Sequence, residues 1–337
     1  MSDSVILKIE NLKKYFPIRA GVFRKIIAWV KAVDGVSFEV LGGESLGIVG
    51  ESGCGKSTLG MTIIRLYEPT EGKIFFNGQE ISCLPSSRLR PIRKEIQMIF
   101  QDPFSSLNPR MTIGAIIEEG MAVHGISSSQ ERALRVRDIL ERVGLSGNYL
   151  RRYPHEFSGG QRQRIGIARA IILHPRLIIA DEAVSSLDVS IRSQILNLMS
   201  ELKEEYHLTY LFISHDLAVV KQICDRVLVM YLGKVVEIAG KNDLFSRPLH
   251  PYTVALVSAV PVPDPDYKVD RVILKGDVPS PIKPPSGCRF HPRCPVVQDI
   301  CHVVEPPLRE VEAGCWVACH FPGSLQLKRV QSARVKC

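Results

Sequence analysis

The segment Gly50-Glu51-Ser52-Gly53-Cys54-Gly55-Lys56-Ser57 has the pattern G-x-x-x-x-G-K-[ST]. It follows the apolar run Ser45–Val49 and opens a helix-like stretch, Lys56–Tyr67. That strand–turn–helix context is the one in which the pattern cradles phosphate. Its glycines let successive backbone N–H groups turn toward phosphate oxygens, and the helix N-terminus adds partial positive charge. Lys56 is then placed for β- and γ-phosphates and the Ser57 hydroxyl for Mg²⁺. Cys54 reads as a loop filler at a variable position. Farther along, Leu177-Ile178-Ile179-Ala180 leads into Asp181-Glu182. An apolar strand ending in acids puts carboxylates where ligands of open α/β sheets bind. Asp181 is suited to hold Mg²⁺, directly or through water, and Glu182 to polarise a water attacking the γ-phosphate. A third turn, Phe157-Ser158-Gly159-Gly160-Gln161, begins another helix and makes another anion-binding N-terminus. One triphosphate does not need two cradles from one chain. Two chains arranged head to tail would use both.

A second chemistry is written near the C-terminus. Of nine cysteines, only Cys54, Cys83 and Cys224 precede Cys288; Cys288, Cys294, Cys301, Cys315, Cys319 and Cys337 follow in a crowd. In a reducing compartment such a crowd points to metal rather than to disulfides. The spacing from Cys288 through Cys294 and Cys301 to Cys319 does not fit a paired C-x2-C zinc ribbon. Four thiolates suit either zinc or a [4Fe–4S] cluster. His291, His302 and His320 keep zinc open, Cys315 is an extra candidate, and Cys337 is expected to be free. The distance in sequence from the phosphate motifs implies a structural role for this site.

The elements that must position these groups alternate between strand-like and helix-like. Strands are expected at Val5–Ile9, Val36–Val40, Ser45–Val49, Lys73–Phe76, Glu95–Phe100, Arg176–Ala180, Leu208–Ile213, Val227–Tyr231 and Lys234–Ile238. Helices are expected at Lys56–Tyr67, Ser129–Val143, Ser158–Leu173, Val189–Glu204 and Leu217–Cys224, with N-cap candidates in Ser127–Ser129. The pattern is that of a nucleotide-type α/β domain with a helical insertion. Arg162, Arg164 and Arg169 read as a solvated or subunit-facing side of their helix. Nine prolines between Pro261 and Pro295 exclude long regular elements there. A small domain of that composition has a weak core and needs a staple. The expected division is 1–259 for the nucleotide domain, with the insertion at about 102–172, then 260–323 for a Pro/Cys-rich metal-binding extension and 324–337 for a basic, frayed tail.

The chain has 337 residues, 45% apolar and 23% charged, which excludes disorder, collagen-like and coiled-coil classes. No run approaches the roughly 18 apolar residues of a membrane-spanning helix. The N-terminus has no basic-then-apolar secretory pattern, so a cytosolic setting is the default expectation. Formal net charge is +8, which fits nucleic acid, a membrane surface or anionic small ligands equally.

Taken together and in order, the motifs resemble those of ABC-transporter ATPases. Phe157-Ser158-Gly159-Gly160-Gln161 resembles the family signature, with Phe157 where Leu is usual. Gln101 before Asp102-Pro103 resembles the Q-loop, and Ser185-Ser186-Leu187-Asp188 the D-loop. His215 in Ile213-Ser214-His215-Asp216 resembles the switch histidine, and Tyr15 the aromatic that stacks on adenine. Ala183 stands where Pro usually follows the Glu. The resemblance implies a P-loop NTPase (RecA-like) core with a β-subdomain and helical insertion, and a site for ATP and Mg²⁺. Its ATP-binding residues would be Tyr15, Gly50, Ser52, Gly53, Cys54, Gly55, Lys56, Ser57, Thr58 and Gln101, with Ser57, Gln101 and Asp181 at the magnesium. Glu182 and His215 would be catalytic. Ser158, Gly159, Gly160 and Gln161 would meet the nucleotide of the opposite chain, beside the D-loop Asp188.

The segment Ile99–Arg110, with Phe104-Ser105-Ser106-Leu107-Asn108-Pro109, is similar to the oligopeptide/dipeptide importer branch. So are His250-Pro251-Tyr252-Thr253, Pro279-Ser280-Pro281 and Phe290-His291-Pro292-Arg293-Cys294. Gln161-Arg162-Gln163-Arg164 resembles the second of the two non-identical ATPases of such importers. This branch implies a [4Fe–4S] cluster on Cys288, Cys294, Cys301 and Cys319, with Zn²⁺ or unligated thiols as the alternatives. Implied partners are a second homologous ATPase, two transmembrane permease subunits and an extracytoplasmic peptide-binding protein, with no nucleic acid. The implied location is peripheral, on the cytoplasmic face of the inner membrane. Alternatives are a nickel importer's ATPase and a soluble ABC ATPase working on nucleic acid or ribosomes. The latter types carry two cassettes or long coiled-coil insertions, which this chain lacks.

Overall fold

Apolar runs too short for helices are buried here as parallel strands. The computed structural model describes residues 4–126, 128–261, 267–269, 271–327 and 329–331; Cys337 lies outside them. The chain forms two units interleaved in sequence. One comprises Met1–Lys8, Glu39–Ser45 and Ile74–Ser214; the other comprises Ile9–Phe38, Leu46–Lys73 and His215–Cys337.

In the first unit, strands Ile96–Ile99, Leu177–Asp181 and Thr209–Ile213 pair in parallel, Ile96 opposite Leu177 and Leu177 opposite Thr209. The last two are buried at every residue. Strands covered on both faces lose the alternation of half-buried ones, which is why they read as continuous apolar runs. Five longer helices accompany them: Ser86–Glu95, Ile113–Val123, Ser129–Arg142, Gly159–Ile171 and Val189–Tyr206. Ser128 is the N-cap of the third, its Oγ accepting from Glu131 N–H at 3.3 Å.

This unit holds a helix that the sequence pattern hides, and the solvated reading of three arginines fails. Ile113–Val123 is a helix although Gly114 and Gly120 dilute its pattern; a Cβ on either would stand 3.0 Å from Leu150 O or 3.1 Å from Leu173 Cδ1, so small residues permit close packing. Arg162, Arg164 and Arg169 do not form a solvated face. Arg162 Nε donates to Pro154 O at 2.7 Å with its guanidinium 3.8 Å over the Phe104 ring. Arg164 donates to Val143 O and Arg169 to Ser106 O, each at 2.6 Å. Arg164 and Arg169 thus carry their charge to carbonyls at helix C-termini, where a cation is favoured.

In the second unit, Leu46–Val49 runs parallel to Arg226–Val229. The strand Arg226–Tyr231 pairs antiparallel with Lys234–Gly240. Lys234–Gly240 then pairs with Cys315–Val317, and that strand with Arg309–Glu312. The Pro/Cys-rich extension thus adds two short strands to this sheet. An aromatic cluster ties the same parts together: Phe290, 1% exposed, lies 5.2 Å from Tyr231, 5.4 Å from Tyr252 and 5.6 Å from His250, centroid to centroid.

The strands Val5–Ala20 and Lys25–Leu41 are far longer than their apolar cores suggest. Their outer ends form an exposed hairpin turning at Gly21–Arg24, with Val22 and Phe23 at its tip. Pairing, which leaves no hydrophobic period, sustains those ends.

Candidate active site

The phosphate loop sits in the second unit. Gly50 has φ 153° and Gly55 φ 104°. A Cβ would come 2.2 Å from Met230 O at Gly50 and 2.0 Å from Ala32 O at Gly55. Glycine is required at both for space as well as for backbone angle. Cys54 is not filler: it is 3% exposed and packs beneath the loop, where burial pushes its thiol up from the ordinary value. Its carbonyl accepts from Gly233 N–H at 2.9 Å. Helix Lys56–Ile63 starts at Gly55 with no side chain capping it. Lys56 is 4% exposed, and its Nζ donates to Gly50 O at 2.8 Å and Glu51 O at 3.0 Å. The ammonium is held inside the curl of the loop, aimed where a polyphosphate would lie. Ser52, Gly53, Ser57 and Thr58 complete the same turn.

Residues from distant parts of the chain brace this loop. Glu51 N–H donates to the Tyr252 hydroxyl at 2.8 Å. Glu51 Oε2 and Oε1 accept from Arg293 Nη1 and Nη2 at 2.7 and 3.1 Å. Tyr15 donates its hydroxyl to Asp34, and Arg289 donates to the other oxygen of Asp34. Burial, with the hydrogen bond to Asp34, holds the Tyr15 phenol well above its usual pKa, against an opposing pull from Arg289. Asp34 is held below the carboxylate range by Tyr15, Arg289 and Lys234, against the opposing effect of burial, the largest single influence.

His250-Pro251-Tyr252-Thr253 explains itself as a helix start. Pro251 occupies N1 and His250 the N-cap, its Nδ1 accepting from Tyr252 N–H at 3.1 Å. Full burial lowers the His250 pKa to about 3, so the ring is neutral and free to accept. Glu237, itself raised by burial, accepts from Leu249 and His250 N–H at 2.9 Å each.

The first unit carries the carboxylates and the signature. Asp181 ends the buried strand Leu177–Asp181 and is 3% exposed. Glu182 follows at φ 46°, its N–H donating to Ile213 O at 2.9 Å. Its Oε2 accepts from Gln101 Nε2 at 2.8 Å. A non-glycine residue in that backbone region is strained and held by its surroundings. Ser158 is the N-cap of Gly159–Ile171: Oγ accepts from Gln161 N–H at 3.4 Å, and Gln161 Oε1 from Ser158 N–H at 3.0 Å. This capping box fixes the turn while leaving Ser158 exposed. Phe157, in the place of the usual Leu, is 5% exposed and packs edge-on against Tyr149. Asp188 caps Val189–Tyr206, and the Ile191 N–H it accepts from, with Ser190, holds its pKa below the usual range. His215, in the second unit, is exposed just beyond the strand Thr209–Ile213.

Cys288, Cys294, Cys301 and Cys319 line one small pocket with His291, His320 and Phe321; Cys315 is absent from its lining. Burial, reinforced by the neighbouring cysteines, pushes the Cys288, Cys294 and Cys319 thiols up to about 11. Without a metal they are therefore neutral. Zinc at about 2.3 Å from each sulfur needs its ligands drawn around one point. Among the described residues no three metal-ligating side chains form such a group. The donor type and its enclosure fit a thiolate-bound metal; the sulfurs as placed do not surround a single ion. Distance in sequence is not distance in space here: Arg293, the neighbour of Cys294, is bonded to Glu51 of the phosphate loop. Sequence reasoning missed Glu51, Asp34, Tyr252, Arg289 and Arg293, since no local pattern joins partners 201, 242 or 255 positions apart.

Known proteins give the same reading. Residues 33–185 match the ABC transporter family, and 236–301 match the oligopeptide/dipeptide transporter C-terminal region. The oligopeptide transport ATP-binding protein AppF of Bacillus subtilis is 58% identical over 323 residues, covering 95% of this chain and 98% of its own. A putative peptide import ATP-binding protein of Brucella ovis is 52% identical, with the same coverages. Among solved structures, the dimeric ATP-binding cassette MJ0796 in a post-hydrolysis state bound to ADP and Pi is 29% identical. It covers 70% of this chain and 98% of its own, with TM-score 0.62.

Proposed function

From the premise that this chain belongs to the ABC transporter ATPases of the oligopeptide/dipeptide branch, we propose how its residues divide the work. The protein is an ATP-hydrolysing subunit that powers peptide import. The observation that carries the reading is the presence, in one chain, of a phosphate loop and the C-terminal region of peptide transporters.

Lys56 and the N–H groups from Gly50 to Thr58 bind the phosphates, and Tyr15 supports the adenine. Ser57, Asp181 and Gln101 would hold Mg²⁺, which when bound offsets charge on the phosphates. Glu182 orients and deprotonates the attacking water, and His215 contacts the γ-phosphate. Ser158 to Gln161 serve the nucleotide of a second, homologous ATPase, with Asp188 ordering the adjoining helix start. By sequence the work divides into 1–259 for the nucleotide, 260–323 for the thiols and 324–337 for the tail, although the extension shares a folding unit with part of the nucleotide domain and Arg329–Gln331 pairs with Tyr267–Val269 instead of fraying. Among the described residues no helix is long and apolar enough to cross a membrane, and the subunit is peripheral. It works on the cytoplasmic face, against two permease subunits fed by an extracytoplasmic peptide-binding protein.

Affinity purification of the tagged chain from membranes tests this assembly. Two multispanning proteins and a second ATPase should co-purify, with turnover raised by peptide-loaded binding protein. Stimulation by nickel instead of peptide would replace the cargo, and recovery of ribosomes or nucleic acid would overturn the reading.

Cys288, Cys294, Cys301 and Cys319 would hold a [4Fe–4S] cluster, to which the four thiolates would bind without all converging on one ion. The lining of one pocket by all four cysteines supports this reading. The cluster would join loops that their own apolar area holds weakly. Anaerobically purified chain should be brown and contain about four irons. Serine at any of these four positions should remove the iron and expose residues beyond about 260 to protease; Cys315→Ser should do neither. Stoichiometric zinc without iron would refute the cluster.

A further inference from the structure

The short loop between Cys288 and Cys294 reaches both ends of the nucleotide site. At one end Arg289 donates to Asp34 and to Leu232 O, and Asp34 receives the Tyr15 hydroxyl. At the other, Arg293 makes a two-pronged bond to Glu51, the second residue of the phosphate loop. The Arg293 side chain is 9% exposed and that of Glu51 28%, so the pair is only partly screened by water.

A carboxylate is an odd group to place in a loop that receives a polyphosphate. Left alone, Glu51 would repel the ligand and lie free to swing. The guanidinium fork cancels its charge and fixes its direction, which an ammonium in the same place could not do as well. Tyr252 fixes the backbone of the same residue through its N–H. We propose that Arg293 is a positioning residue of the nucleotide site: it neutralises and orients Glu51, so the Cys288–Cys294 loop sets the readiness of the phosphate loop. Arg289, through Asp34, ties Tyr15 to the same loop. The inference rests on ATP binding at Lys56, yet holds whichever metal the thiols carry.

Binding of a fluorescent ATP analogue to the purified full-length chain tests it. Wild-type binding and its loss in Lys56→Ala check the phosphate-loop reading separately. Arg293→Ala should weaken ATP binding about tenfold, as expected for a partly screened charge left without its partner. The loss should be smaller for ADP, which carries less negative charge. Adding Glu51→Gln to Arg293→Ala should recover most of it, because the unpaired charge is gone although no bond is restored. Arg293→Lys should fall between wild type and alanine. If Arg293 merely fastened the extension, the double variant would bind no better than Arg293→Ala, and that result overturns the proposal. So does unchanged ATP affinity in Arg293→Ala.

Discussion

Glu182→Gln should lower ATP turnover of the assembled transporter by about a thousandfold while leaving ATP affinity within a few-fold of wild type. A positioned general base contributes about 10²- to 10⁴-fold, and glutamine keeps the shape of the side chain while removing its basicity. Gln101 Nε2, which donates to Glu182 Oε2 at 2.8 Å, would find an amide oxygen in the same place. The backbone at φ 46° is equally tolerable for either residue. The substitution therefore isolates the proton transfer. Ala183, 2% exposed, fills the place after the base without the proline usual there, and Glu182 is still pinned by its N–H to Ile213 O at 2.9 Å. Turnover by phosphate release, set beside affinity by equilibrium binding, checks the prediction. Wild-type turnover in the variant would remove Glu182 from the chemical step.

The parts of this site that could be read from sequence are those built from consecutive residues. Ser45–Val49 is a strand at the expected bounds, because five buried residues and a following glycine loop leave little choice. Ser158-Gly159-Gly160-Gln161 announces a helix start, and the capping box lies within the same four residues. The four cysteines were legible as a group because they are near one another in the chain. What was not legible is pairing over distance. Arg293 to Glu51 and Arg289 to Asp34 span 242 and 255 positions, and nothing near either partner marks it. The arginines of Gly159–Ile171 misled for a related reason. A charged side chain at helical spacing reads as solvent-facing, yet Arg162 and Arg169 are buried or nearly so along carbonyls of other segments. Long cationic side chains can bury their stems and still satisfy their heads.

Ser158→Arg should abolish turnover in the complex and leave ATP binding by the isolated chain unchanged. Ser158 is exposed at the head of its helix, and Gly159 and Gly160 beside it are half-buried. The capping box already satisfies the turn from within, so the exposed N–H end of the helix is available to an anion brought by another molecule. The chain's own phosphate loop has its own helix start at Gly55, and needs no second one. In a head-to-tail pair the Ser158 turn would close on the partner's γ-phosphate, and an arginine side chain there blocks the approach of the two chains. The same change removes the serine cap, which costs about 1 kcal/mol of stability. Ser158→Ala removes that cap without adding bulk. The arginine variant should therefore be no less stable than the alanine variant by thermal unfolding, yet far less active, by at least a hundredfold if closure is required for each turnover (about 2.7 kcal/mol in the barrier). Equal activity in the two variants would assign the loss to the cap rather than to closure. Loss of ATP binding in the folded, isolated Ser158→Arg chain would show that both cradles serve one nucleotide in one chain, and the head-to-tail arrangement would fall.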